Sequence, residues 1–540
     1  MMNLWSALLH SFLSNTVNEG TRMKRTIGTF LTLALTAVST VGCFQDDKAA
    51  KQPVVDESKP TKFSISYTTT SSSGYYSRIS NLSQDKWVLK LGELTNTSLE
   101  VRVIEESKLP VLFAGNSIPD VVGSNGTPTS TTMSGSVEAG VFMPLDDLLK
   151  QYAPNLLKNV PRDAWEAVSY NGKTYGIPTY LTNPSRRATF IRTDLLEQAG
   201  LKPPQTVEEF LDVLRAFKNM GVEHPYLMRE NLKYADLILG AYDVLPYRDQ
   251  FEVVNGQVVP KFFDVDHMEK ALLTYKSMLD EGLVANDFAT ISSTDFLRFI
   301  RSGKAGIWSS NAIGLIDFRT SIKQMLPSAK VDIIPSPKGR EGRGGYFYYT
   351  PVISAFYINK NVKMETAARI VQFFDWMQTL EAETFFTFGI EGDTYTVKDG
   401  KISYKLPQTK DAIEEEGWRS GTLWGAHDAT ANRMRLALDQ NGRDTLYALD
   451  HIVMKEGLPG IGFNPDLISF AKYPDLAPMT QDGAPRFIMD HIIKMIYGKE
   501  PISDWPKVIE EYRQQGGDEI IKEATERFNR REGIVNLYKP

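Results

Sequence analysis

Met23-Lys24-Arg25 precedes an apolar run, TIGTFLTLALTAVSTVG, that ends at Cys43, the chain's single cysteine. A positive start, an apolar middle and small residues before the thiol are the three parts of an export signal. A thiol left at a new N-terminus can accept a lipid group, so lipidation is the chemistry expected at Cys43. Val41 and Gly42 suit that cleavage, whereas Thr40 stands where Leu is usual. The run falls short of the ~20 apolar residues of a spanning helix. Residues 23–42 are therefore read as a removed signal. The alternative is ordinary cleavage that leaves a free thiol. Asn18-Glu19-Gly20 back-translates to the purine-rich core of a ribosome-binding site. Translation is accordingly expected from Met23, which makes 1–22 an upstream extension. The polar stretch after Cys43 has little to bury, so 43–62 reads as a flexible tether.

Other reactive constellations are missing. There is no nucleophile elbow, zincin helix, phosphate loop or kinase signature. The six histidines never stand four apart, and no thiol beyond Cys43 exists to form a disulfide or bind a metal. Glu414-Glu415-Glu416 reads as a solvated surface, and Gly457 to Gly462 as a turn. No cofactor, metal or catalytic group is expected. A net charge of −6 without a basic tract excludes nucleic acid as a partner.

Aromatic residues beside turns remain. Tyr75, Tyr76, Tyr180, Trp308, Tyr346, Tyr349, Trp418 and Trp424 offer flat apolar faces, and adjacent Asn, Asp, Arg and backbone groups offer hydrogen bonds. That pairing suits the C–H faces and hydroxyls of a sugar ring. Each could equally fill a core. Arg186 and Arg187 could meet a carboxylate or serve structure.

These groups need a scaffold. Phe63 to Tyr67 alternates as a strand, and Leu99 to Ile104 and Pro119 to Val122 follow, with helices at Lys86 to Leu94 and Leu109 to Ala114 between them. Thr206 and Glu209 form a capping box ahead of an apolar face of Phe210, Leu211, Val213, Leu214 and Phe217. Asp266 and Glu269 open a second such helix. Gly306 to Ser309, Val331 to Ile334 and Val352 to Ile358 read as further strands, and the chain beyond Ala367 as mostly helical. Strand-helix alternation implies an α/β protein with covered sheets. In such sheets ligands sit at strand carboxyl ends, where Tyr75, Asn125, Tyr180 and Trp308 are expected. The Gly-rich, charged loop Pro335 to Gly345 should lie on the surface or between lobes.

The ordered segments LFAGNSIPDVV, GVFMPLDDLLKQYAPNL, SYNGKTYGIPTY, FIRTDLLEQAGLKPPQTVEEF, FLRFIRSGKAGIW, GIEGDTYTVKDGKISY and the C-terminal MIYGKEPISDWPKVIEEYRQQGGDEIIKEATERFNR carry a resemblance. From Phe63 to Arg530 the chain resembles the extracellular solute-binding proteins of family 1, in their long saccharide-uptake lipoprotein branch. The resemblance implies a type II periplasmic-binding-protein-like fold. Two α/β lobes joined by a hinge, with a helical C-terminal region, would close on a carbohydrate and deliver it to ABC permease subunits. It implies lobe 1 over 63–180, lobe 2 over 181–349, and over 350–540 a return to lobe 1 with the helical region. It places ligand-binding residues at Tyr75, Tyr76, Ser124, Asn125, Tyr180, Trp308, Tyr346, Tyr349 and Trp424, with Trp308 and Tyr180 foremost. Some alginate-binding relatives hold calcium after the capped helix. FKNMGVEHPYLM lacks the spaced oxygen ligands for it. The expected protein is a monomeric, non-enzymatic binder, lipid-anchored on the outer face of the plasma membrane. A secreted polysaccharide-active enzyme and a sensory or scaffold lipoprotein are the alternatives.

Overall fold

The computed structural model describes residues 58–68, 73–133, 135–248, 250–430, 432–464, 466–480 and 483–535, all within one compact unit, Pro53–Pro540. The expected signal, Cys43 and most of the tether lie outside the described residues.

In chain order the main strands are β1 (Thr61–Thr68), β2 (Thr97–Ile104), β3 (Val121–Ser124), β4 (Gly176–Tyr180), β5 (Arg187–Arg192), β6 (His224–Tyr226), β7 (Ala305–Asn311), β8 (Val331–Ile334) and β9 (Val352–Ile358). They form two sheets, ordered β2-β1-β3-β9-β4 and β8-β5-β7-β6. In the first, β1 runs parallel to β2 and β3, and β9 is antiparallel to both neighbours. In the second, β5 is antiparallel to β7 and β8. Both sheets are covered by helices, giving the expected pair of α/β lobes.

Local sequence explains the elements. Phe63, Ile65 and Tyr67 put one face of β1 into the first core. Ser64, on the other, bonds Asp120 through both its backbone N–H and its hydroxyl, each at 2.8 Å. The helix Val207–Asn219 starts where the capping box puts it, with the Thr206 hydroxyl accepting from Glu209 N–H at 3.2 Å. The Glu209 carboxylate reaches back to Gln205 N–H at 2.7 Å, one residue beyond the cap. Phe210, Leu214 and Phe217 are fully buried, each contributing about 1.5–3 kcal/mol by burial. The helix Val265–Asp280 is capped by Asp264, two residues before the expected start.

The first core holds buried residues from Phe63 to Tyr180 and again from Val352 to Ala426. Residues from Leu436 to Ala524 belong to the cores of the second sheet. The return to lobe 1 over 350–540 is therefore corrected: only its first part stays with lobe 1. Apolar periodicity shows that helices such as Arg486–Ile496 bury a face, but not which lobe receives it. Two smaller readings also change. The carboxylates of Glu414, Glu415 and Glu416 are paired with Arg78, Lys86 and Arg435. Gly457–Leu458 forms a short strand paired in parallel with Tyr346–Phe347. The loop from Pro335 to Gly345 is pinned to the second lobe, with Arg340 on Asp264 and Arg343 on Asp243.

Candidate functional site

Three chain crossings join the lobes and lie side by side. Tyr180 N–H donates to His427 C=O at 3.0 Å, and Ala429 N–H donates to Tyr180 C=O at 2.8 Å. Leu181 N–H donates to Pro351 C=O at 2.9 Å. The Asp428 carboxylate ties this hinge together, accepting from the Thr182 hydroxyl and from Thr430 N–H at 2.8 Å.

Beside the hinge, the carboxyl edge of the first sheet opens into a cleft of about 350 Å3. The ends of β1, β3 and β4 supply Tyr67, Thr68, Ser124, Asn125 and Thr179, and the start of β9 supplies Ile353 and Ser354. The third crossing adds Trp424 and His427, and the first adds Arg186. Parallel strands leave their last backbone groups and side chains at one edge, so this is where an open α/β sheet collects polar groups.

Each group is fixed from behind. Trp424 is stacked between Phe386 and His427, at centroid distances of 5.2 and 4.6 Å. Its indole N–H donates to Met377 C=O at 3.1 Å. Gly425 is needed beside it, because a Cβ there would lie 2.7 Å from the Phe356 ring. The Glu106 carboxylate accepts from the Ser124 hydroxyl at 2.5 Å and from Asn125 N–H at 3.0 Å, which sets the loop after β3. Tyr67 is buried against Phe356 and Trp418, and its hydroxyl has no hydrogen-bond partner among the described residues. Burial raises its pKa, so it keeps its proton and remains a donor.

Charge in the cleft is one-sided. Among the described residues Arg186 is the sole Lys or Arg lining it, and none of the lining residues is a carboxylate. Burial pulls the Arg186 pKa down, yet a guanidinium stays charged at neutral pH. Burial also lowers His427 to about 4, so its imidazole is neutral there.

The expected site residues divide. Ser124, Asn125 and Trp424 meet in the cleft. Tyr349 is adjacent, with the Arg186 guanidinium 5.7 Å above its ring. The others lie elsewhere. Trp308 is wholly buried, stacked on Phe190 and edge-on to Phe318, because β7 runs on to Asn311 and leaves the indole mid-strand. Tyr180 is 4% exposed, with its hydroxyl on Gln378 at 3.1 Å. Tyr346 is buried, its hydroxyl within 2.7 Å of the Thr189 and 2.6 Å of the Ser309 hydroxyls. Tyr75 and Tyr76 pack on Trp418 and do not line the cleft. The sequence reading left Arg186 between a carboxylate contact and a structural role, and gave Tyr67 only to a strand. A residue's side of a sheet edge was the missing information.

The family model for bacterial extracellular solute-binding proteins matches residues 99–384, just over half of the chain. The chain belongs to this family. Among relatives of this solute-binding protein is the polygalacturonan/rhamnogalacturonan-binding protein YtcQ of Bacillus subtilis. It is 27% identical over 466 residues, covering 82% of this chain and 88% of YtcQ. Lipoprotein LipO of the same organism is 28% identical over 415 residues, 73% of this chain and 78% of LipO. The fold matches the S. pneumoniae ABC-transporter substrate-binding protein FusA in complex with kestose, with TM-score 0.64 and 14% identity, over 87% of this chain and 99% of FusA. Two lobes with three adjacent crossings are what a solute-binding protein requires, since rotation about the crossings opens and closes the cleft between them.

Proposed function

We propose that this solute-binding protein captures an oligosaccharide outside the cell and hands it unaltered to an ABC-type permease, as a monomer held to the membrane by a lipid on Cys43. The observation carrying this reading is the cleft beside the hinge, where Ser124, Asn125, Thr179 and Arg186 gather with the rigidly held Trp424. Ordered hydrogen-bond donors beside an aromatic side chain suit a sugar, and among the described residues no carboxylate lines the cleft to cleave one. Ser124, Asn125, Thr179, Trp424 and Tyr67 are the proposed ligand contacts. YtcQ, named for two pectic polysaccharides, supports the ligand class. LipO, named as a lipoprotein, supports the anchor. Among the described residues no helix is long and apolar enough to cross a membrane, so attachment would fall to the N-terminal lipid.

A thermal-shift screen against oligosaccharides tests this. A ligand at a hundred times its Kd adds about 2.7 kcal/mol to the folded state, a rise in Tm that is easily read. The bound glycan should be recovered intact by mass spectrometry. Cleavage products would replace the binder with the enzyme alternative, and no shift with any saccharide would end the reading.

A further inference from the structure

We infer that Arg186 makes the cleft select a saccharide carrying a carboxylate, an oligouronide, over its uncharged counterpart. The inference rests on the proposed capture of an oligosaccharide and specifies the class of ligand.

Two adjacent arginines enter the second lobe and are used differently. Arg187 is wholly buried, with its guanidinium on Asp236 at 2.6 Å and on the Tyr349 hydroxyl at 3.3 Å. Arg186 lines the cleft, and among the described residues no carboxylate lies within ion-pair distance of it. The nearby Asp428 is engaged by the hydroxyls of Thr182 and Thr430 and braces the hinge. A half-buried guanidinium without a counter-ion carries a desolvation cost that its own fold does not offset. Among the described residues no carboxylate lines the cleft, and the Asp428 charge acts on Arg186 only from beyond ion-pair distance. The Tyr349 ring supports the guanidinium from one side, as aromatic faces do for arginine. Its planar fork matches a carboxylate through two parallel hydrogen bonds. Tyr67, whose buried hydroxyl has no hydrogen-bond partner among the described residues, lines the same cleft. A neutral sugar could accept hydrogen bonds from these groups but would leave the positive charge uncompensated.

Calorimetric titration of the purified protein with trigalacturonate and trimannuronate, and with the methyl ester of each, tests the inference. The esters keep size and shape and remove the charge. We expect at least one acid to bind roughly tenfold or more tighter than its ester, and its affinity to fall as salt rises. Arg186→Met should abolish the acid-ester difference without lowering Tm, and Arg186→Lys should restore part of it. Equal binding of acid and ester, or an acid preference that survives in Arg186→Met, overturns the inference. If that variant fails to fold, the wild-type acid-to-ester ratio and its salt dependence decide. Binding confined to neutral oligosaccharides overturns the inference and leaves the binding function standing. Binding of no saccharide ends both.

Discussion

The facing sheet edges of the two lobes are built from similar residues and put to different uses. On the second sheet, the hydroxyls of Thr189 and Ser309 close on Tyr346, Arg187 closes on Asp236, and the Tyr349 hydroxyl donates to Asn311. On the first, the Tyr67 hydroxyl has no hydrogen-bond partner among the described residues, Asn125 is exposed, and Trp424 lines the cleft between Phe386 and His427. The comparison teaches that binding capacity lies in what an edge leaves unsatisfied. One edge has spent its polar groups on rigidity, and the other keeps them for a ligand.

Substitutions on the second edge should act on folding. Trp308→Ala removes a buried, stacked indole and should cost about 3–5 kcal/mol of stability in urea unfolding. Trp308→Phe should recover most of that loss with ligand affinity unchanged; a lost affinity in a folded Trp308→Phe protein would break the contrast. Arg187→Met removes the buried guanidinium that pairs with Asp236 and should cost about 3–5 kcal/mol, against less than about 1 kcal/mol for Arg186→Met at a partly exposed position.

The hinge should respond to pH. His427 holds a pKa of about 4 when folded, below its ordinary 6.5. Between those values the unfolded chain binds the proton more readily. Stability should thus fall as pH drops through that window, by roughly 1–3 kcal/mol from this group. In His427→Gln, unfolding midpoints measured across the same window should vary less with pH. The smallest effect is expected at Tyr67→Phe. Removing the unpartnered hydroxyl should leave stability equal or raise it by about 1 kcal/mol, while saccharide affinity weakens by about 0.5–1.5 kcal/mol. Unchanged affinity would remove Tyr67 from the site.

Much of the fold was legible because its signals are local. Thr206 with Glu209 marks a helix start, alternation in Phe63–Tyr67 marks a strand, and Gly200, Gly221 and Gly282 take the positive φ that ends helices. The site was legible only in part. Ser124 closes β3 and Asn125 follows it, two residues beyond the Val122 at which the pattern ends the strand. Trp308 was misplaced because its strand continues for three more residues, and nothing in GIWSSN shows which side of a sheet an indole takes. Arg186 and Arg187 are indistinguishable in sequence. Their difference arises from Asp236, a residue 49 positions on from Arg187 that folding brings beneath one of them. The C-terminal helices posed the same problem at larger scale, since an apolar stripe does not name its partner.

The central claim is that the ligand sits at the carboxyl edge of the first sheet, beside the hinge. A crystal structure of the protein with a bound oligosaccharide tests it most directly. A sugar ring should lie in the cleft beside Trp424, within hydrogen-bonding reach of Arg186 and the loop after β3. A saccharide seated against Tyr75 and Tyr76, or anywhere outside this cleft, would contradict it.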